Sequence, residues 1–139
     1  YYNEEVLYMT NAEDTFPPDY LAGGYYAVTE NGIPYLRPEL VGTQAKEIAD
    51  KISGMRSTDF LRLIQELKRS NKRTLPFEAK QTAVLELLPK ALSLVHRKKA
   101  PPLLVEFARK NIDAIHTTSD YQAFLRHCEA IFGYLSIKL

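Results

Sequence analysis

Lys68, Arg69, Lys72 and Arg73 form one cluster of cations, and His96, Arg97, Lys98 and Lys99 form a second. Long cationic side chains at this density suit contact with a polyanion. They would neutralise phosphates and fix register without reading bases, and the affinity they supply would fall steeply with salt. Protonation of His96 would add to the second cluster. Both clusters close apolar-periodic segments that read as helices, where cations also complement the helix dipole and keep a surface solvated. A bundle that brought the two ends onto one surface would make a phosphate site.

Other chemistry is poorly represented. There is no phosphate-cradling glycine loop with lysine, no Gly-x-Ser-x-Gly turn and no His-Glu-x-x-His helix. Gly23-Gly24 precedes tyrosines in a turn-rich stretch and does not open a strand-to-helix crossover. His96, His116 and His127 each lie too far from one another, or too close to Cys128, for a helical metal pair at a spacing of three or four. Cys128 falls on an apolar stripe and reads as a small core residue. The expectation is a protein that is not an enzyme, with no metal and no cofactor.

The elements that would position the cations follow from charge and periodicity. The net charge of +1 divides at Leu40: the first 40 residues hold Arg37 against seven acids, and the remaining 99 hold 17 Lys and Arg against 10 Asp and Glu. An acidic leader thus masks a basic body, which favours a polyanionic partner, nucleic acid ahead of membrane. No apolar run approaches a membrane span. A single cysteine excludes an internal disulfide framework and points to a cytoplasmic, reducing setting. The leader also holds seven of the nine tyrosines and four of the eight prolines, so residues 1–37 read as an extended arm and 38–139 as one helical domain. Within the arm, Asn31-Gly32 between short apolar runs predicts a small hairpin, with Pro34 on an edge. Its tyrosines suit either base stacking or packing onto a helical body.

From Pro38 the period becomes helical. The first helix is expected from Pro38 to a cap at Gly54, with Val41, Ala45, Ile48, Ala49 and Ile52 inward and Gly42 weakening its start. The second is capped by Ser57 or Thr58 and carries Phe60, Leu61, Leu63, Ile64 and Leu67. Thr74 and Pro76 start the third, whose Val84, Leu87, Leu88, Ala91, Leu92 and Val95 give the strongest core signal; Pro89 should kink or divide it. Ala100-Pro101-Pro102 forces a break. The fourth carries Leu103, Leu104, Phe107, Ala108, Ile112 and Ile115. The fifth, capped by Ser119 or Asp120, carries Tyr121, Phe124, Leu125, Cys128, Ile131, Phe132 and Leu135. The expected fold is all-α, a compact bundle of about five helices with a Tyr-rich arm.

Phe124-Leu125-Arg126-His127-Cys128-Glu129-Ala130-Ile131-Phe132-Gly133-Tyr134 resembles the F-x-x-F-x-E-A-I-x-A-Y ending of the small subunit of type III-A CRISPR effector complexes. Three further segments match in order: Leu36-Arg37-Pro38-Glu39-Leu40 with L-R-P-E-L, Ser57-Thr58-Asp59-Phe60-Leu61-Arg62 with T-T-S-Q-I-R, and Leu88-Pro89-Lys90-Ala91-Leu92 with the following Arg97 with P-K-L-x-Y-x-x-x-R. Phe60 stands where the family favours glutamine, Leu63 where it favours a basic residue, and Cys128 where an aromatic is common. The resemblance covers about residues 24–139. It implies an all-helical, noncatalytic subunit whose copies line the groove holding guide RNA and single-stranded target RNA, beside other subunits of the complex. By the resemblance Arg62, Lys68, Arg69, Lys90 and Arg97 would face RNA; Lys72, Arg73, Lys98 and Lys99 join them on charge clustering alone. The competing function is a helical protein-interaction adaptor with solvated basic ends. A helix-turn-helix DNA reader is disfavoured because Phe60, Leu61, Leu63 and Ile64 make its recognition helix too apolar.

Overall fold

The glycines and prolines of the leader give way to helix only after Gly42. A computed structural model of the chain describes residues 16–137. Its strands β1 (Tyr26–Val28) and β2 (Pro34–Leu36) precede a 3-10 turn at Pro38–Leu40. Five helices follow: α1 (Thr43–Lys51), α2 (Ser57–Arg69), α3 (Phe77–His96), α4 (Leu103–Ala114) and α5 (Thr118–Ser136). The fold is predominantly helical.

The strands pair antiparallel with Tyr26 opposite Leu36 and Val28 opposite Pro34. A sheet of two strands has only edges, so the missing N–H of Pro34 removes no interior ladder bond. The turn differs from the expected one, because Gly32 alone takes a positive φ, at 79°. The Gly32 N–H donates to the Thr29 carbonyl at 2.9 Å, and the Ile33 N–H donates to Thr29 Oγ1 at 3.0 Å, which holds Asn31 in an ordinary conformation.

Several helix boundaries also move, each for a local reason. The helix expected from Pro38 is interrupted at Gly42, whose φ and ψ of −117° and −110° are not helical, so Pro38–Leu40 remains a separate 3-10 turn. Ile52, not Gly54, caps α1. Arg56 occupies the N-cap of α2 with no side-chain bond, and Ser57 already lies inside the helix. Thr117 caps α5 in a reciprocal box: the Asp120 N–H donates to Thr117 Oγ1 at 3.0 Å and the Thr117 N–H to Asp120 Oδ2 at 3.2 Å. Pro89 does not divide α3, which runs unbroken to His96. Leu85, whose carbonyl Pro89 deprives of a partner, is exposed, so water can satisfy that carbonyl. The break at Pro101-Pro102 stands, and α4 starts directly after it.

The core lies where α1 and α2 pack on α5 and α3 packs on α4. Phe107 of α4 sits near its centre, with ring centroids 6.2 Å from Phe60 and 6.1 Å from Phe124. Phe16, Tyr20 and Tyr25 are buried in the same core, and Tyr26 Oη donates to the Ser119 carbonyl at 2.7 Å. Packing onto the body is therefore the role of these three tyrosines. Tyr35 is 44% exposed, and Tyr1, Tyr2 and Tyr8 lie outside the described residues. Arg37 holds the arm's own turn, its guanidinium donating to the Gly23 carbonyl at 3.2 Å. A Cβ on Gly23 would fall 1.9 Å from that guanidinium, so any side chain there would push Arg37 off its acceptor.

The end of α3 forms a Schellman motif. The Lys99 N–H donates to the Leu94 carbonyl at 2.8 Å and the Lys98 N–H to the Val95 carbonyl at 3.0 Å, with Lys98 at φ 61°. A lysine there carries the steric cost that glycine avoids. Lys98→Gly is expected to raise the unfolding free energy by about 1 kcal/mol in urea denaturation; a loss of stability would show that the lysine side chain contributes more than its backbone strain costs.

Candidate nucleic-acid interface

The short connection between α2 and α3 folds them into an antiparallel hairpin, and this decides where the cations go. Lys90 Nζ donates to Glu66 Oε2, and a cleft of about 160 Å³ between the helices is lined by Asp59, Arg62, Leu63 and Glu66 from α2 and Lys90, Ser93, Leu94 and Arg97 from α3. Arg62, Lys90 and Arg97 thus converge on one cleft. Two carboxylates share it. Arg62 Nη1 lies 3.9 Å from Asp59 Oδ1 with its side chain 72% exposed, so it remains available to an anion. Asp59 Oδ2 is buried with no hydrogen-bond partner among the described residues, at a position in the first turn of α2 where the helix dipole favours negative charge.

The remaining candidates are not gathered there. Lys68 Nζ donates to Glu129 Oε2 of α5 at 2.6 Å, which draws it toward α5 and away from the cleft. Arg69 ends α2, while Lys72 and Arg73 sit in the exposed turn beyond it. Lys98 and Lys99 follow Arg97 past the end of α3, exposed and outside the residues that line the cleft. The two basic clusters each follow the C-terminus of one of two consecutive antiparallel helices, so they lie at opposite ends of the hairpin, separated by roughly 15 Å of helix. One surface carrying both is a strip along the hairpin and not a single patch.

Phe60 and Leu63, at the positions where the resemblance favours polar residues, are 1% and 8% exposed. They belong to the core, which leaves Arg62 as the cation of that segment. Glu66 and Asp59 were not singled out by sequence reasoning; the i, i+3 and i, i+4 spacings around Arg62 and Leu63 are the signal that places them on the same face.

The most deeply buried polar groups lie away from the cleft. Tyr25 Oη donates to Asn111 Oδ1 at 2.7 Å. Asn111 Nδ2 donates to the Phe107 carbonyl at 2.9 Å and to Tyr20 Oη at 3.1 Å. Tyr20 Oη is 2.6 Å from His127 Nε2, and His127 Nδ1 is 2.5 Å from the Leu40 carbonyl. A carbonyl only accepts, so Nδ1 carries the proton and Nε2 accepts from Tyr20. Burial lowers the His127 pKa to about 4 against the weaker opposing effect of the Leu40 bond, and raises the pKa values of the Tyr20 and Tyr25 hydroxyls. These groups are structural: they are sealed from solvent and neutral at ordinary pH. Burial likewise pushes the Cys128 thiol up, as fits an inert core cysteine. Among the described residues no cluster of His, Cys, Asp or Glu could hold a metal ion, and no helix is long and apolar enough to cross a membrane.

Helical packing, a cleft between two helices where cations and carboxylates meet, and a sealed set of polar groups define a small, predominantly helical protein. The family model described as Csm2 Type III-A matches residues 36–137, most of the chain. The chain belongs to that family, the small subunit of the type III-A CRISPR effector complex. No curated protein and no solved structure matches it.

Proposed function

We propose that this subunit is noncatalytic and lines the groove that holds guide and target RNA, working in the cytoplasm with its copies stacked beside other subunits of the complex. The observation that carries the reading is the convergence of Arg62, Lys90 and Arg97 on one cleft, with Lys98 and Lys99 beyond one end of the hairpin and Arg69, Lys72 and Arg73 at the other, while Lys68 is held by Glu129. A strip of this kind tracks a phosphate backbone without reading bases. Head-to-tail stacking needs two dissimilar faces.

Salt-dependent fluorescence anisotropy with single-stranded RNA tests the reading. Arg62→Gln, Lys90→Gln and Arg97→Gln together are expected to reduce the magnitude of the log–log salt slope by about 2, near 0.7 for each phosphate that is no longer neutralised. Glutamine at position 90 avoids placing a second carboxylate against Glu66. Binding with an unaltered slope would remove the cleft from the RNA surface. No RNA retention by the assembled complex's own subunit, with folding intact, would favour the adaptor role, in which Glu66 and Glu129 simply neutralise Lys90 and Lys68.

A further inference from the structure

The three cations of the α2–α3 cleft are not equally free to meet an anion. Arg97 makes no ion pair among the described residues and donates from Nε to the Ser93 carbonyl of its own helix at 3.4 Å. Arg62 lies at the edge of ion-pair range from Asp59, at 3.9 Å, with its side chain largely in solvent. Lys90 differs from both: its ammonium donates directly to Glu66 Oε2, and the two side chains are only 40% and 32% exposed. A pair half removed from water is screened less than one in bulk solvent, so Lys90 has the most to give up when it turns to a phosphate.

Glu66 adds a second cost. Its carboxylate lines the same cleft as Arg62 and Arg97, so a phosphate entering there meets a like charge. Asp59 sits in the first turn of α2, where the helix dipole favours its charge. Glu66 lies near the other end of α2, where the dipole disfavours a carboxylate, and Lys90 is its compensation.

We propose that Glu66 attenuates the cleft's hold on RNA: it keeps Lys90 as its partner in the free chain, and a strand gripped at Arg62 and Arg97 exchanges that partner for a phosphate. The inference rests on the RNA-lining reading and adds to it a residue that works against binding. The exchange replaces one charge-assisted hydrogen bond of Lys90 with another, so its net cost is the Glu66 carboxylate left unpaired beside the strand. The result is a cleft that releases RNA readily.

A double-mutant cycle tests it: fluorescence anisotropy of a single-stranded RNA of about 30 nucleotides with the full-length wild type, Glu66→Gln, Lys90→Gln and the double variant, across a salt series, with far-ultraviolet circular dichroism to show that each is folded. Glu66→Gln is expected to tighten binding, and by about fivefold more when Lys90 is present than in the Lys90→Gln background. Its salt slope is expected to stay within less than about 0.7 of the wild-type slope, because Lys90 reaches a phosphate in both proteins. Equal gains in the two backgrounds would reduce Glu66 to simple repulsion of phosphate and overturn the exchange. Weaker or unchanged binding by Glu66→Gln would overturn it too, by showing that Glu66 orients Lys90 or does nothing. A slope steeper by about 0.7 or more would show that Lys90 stays on Glu66 in the wild-type complex, against the proposal. Absence of binding by all four folded proteins would instead remove the RNA-lining reading itself, and the exchange with it.

Discussion

Asn111→Ala is expected to lower the unfolding free energy by about 2–4 kcal/mol, measured by urea denaturation at neutral pH. Asn111 is fully buried and is the hub between two tyrosines and the backbone of α4. Alanine leaves the Tyr25 hydroxyl without its short-range acceptor, while the Phe107 carbonyl loses a side-chain donor but keeps the residue-111 backbone N–H within α4; the one orphaned buried group costs about 1–3 kcal/mol, and the vacated volume adds a cavity cost. Tyr25 Oη retains only a 3.4 Å approach to the Asn111 carbonyl, too long to compensate. Tyr25→Phe in the same background separates the causes. If orphaning dominates, the double variant recovers part of the loss; if it is no more stable than Asn111→Ala, the damage lies in packing alone.

Acidification gives the second large effect. His127 has a folded pKa of about 4 against an unfolded value near 6.5, so between those values the unfolded chain binds a proton that the folded chain refuses. Stability therefore rises with pH across this window. The contribution is fully present above about pH 6.5 and is lost as pH falls toward 4, reaching roughly 3 kcal/mol. His127→Gln supplies one donor and one acceptor to the same neighbours and cannot titrate. Its stability curve is expected to be lower at pH 7 and flatter between pH 6.5 and 4 than that of the wild type. Parallel curves for the two proteins would show that His127 is not the group responsible.

The helices were legible because their apolar spacing is set by the core they share: Val84 to Val95, Leu103 to Ile112 and Tyr121 to Leu135 read as helices from periodicity and are helices, while Ile115 falls one residue past the end of α4. Their ends were less legible. Thr117 outcompetes Ser119 and Asp120 as a cap because Asp120 sits at the reciprocal position of the box, a choice between adjacent polar residues that spacing alone leaves open. Pro89 failed to interrupt α3 because the carbonyl it deprives belongs to an exposed residue, and exposure of one turn is a tertiary fact. The cleft was half visible. The resemblance supplied Arg62, Lys90 and Arg97 one by one, but their convergence, and the separation of the two cationic ends, depend on the antiparallel sense of α2 and α3. Asn111 could have been flagged, since it lies four residues after Phe107 and four before Ile115 on the core-facing side of α4. Its partners could not, because they come from the other end of the chain.

That last point bears on how the protein is made. Tyr20 and His127, in contact at 2.6 Å, are 107 positions apart in the chain. During synthesis the segment around Tyr20 leaves the ribosome early and must wait for α5 before the last bond of its network can close. α2 and α3 are neighbours and can pair as they emerge, whereas the polar seal belongs to the final, slow step of a vectorial process. A nascent chain stalled before α5 would already hold Asn111, the partner of Tyr25, but would carry Tyr20 without His127, the group that links this network to the Leu40 carbonyl.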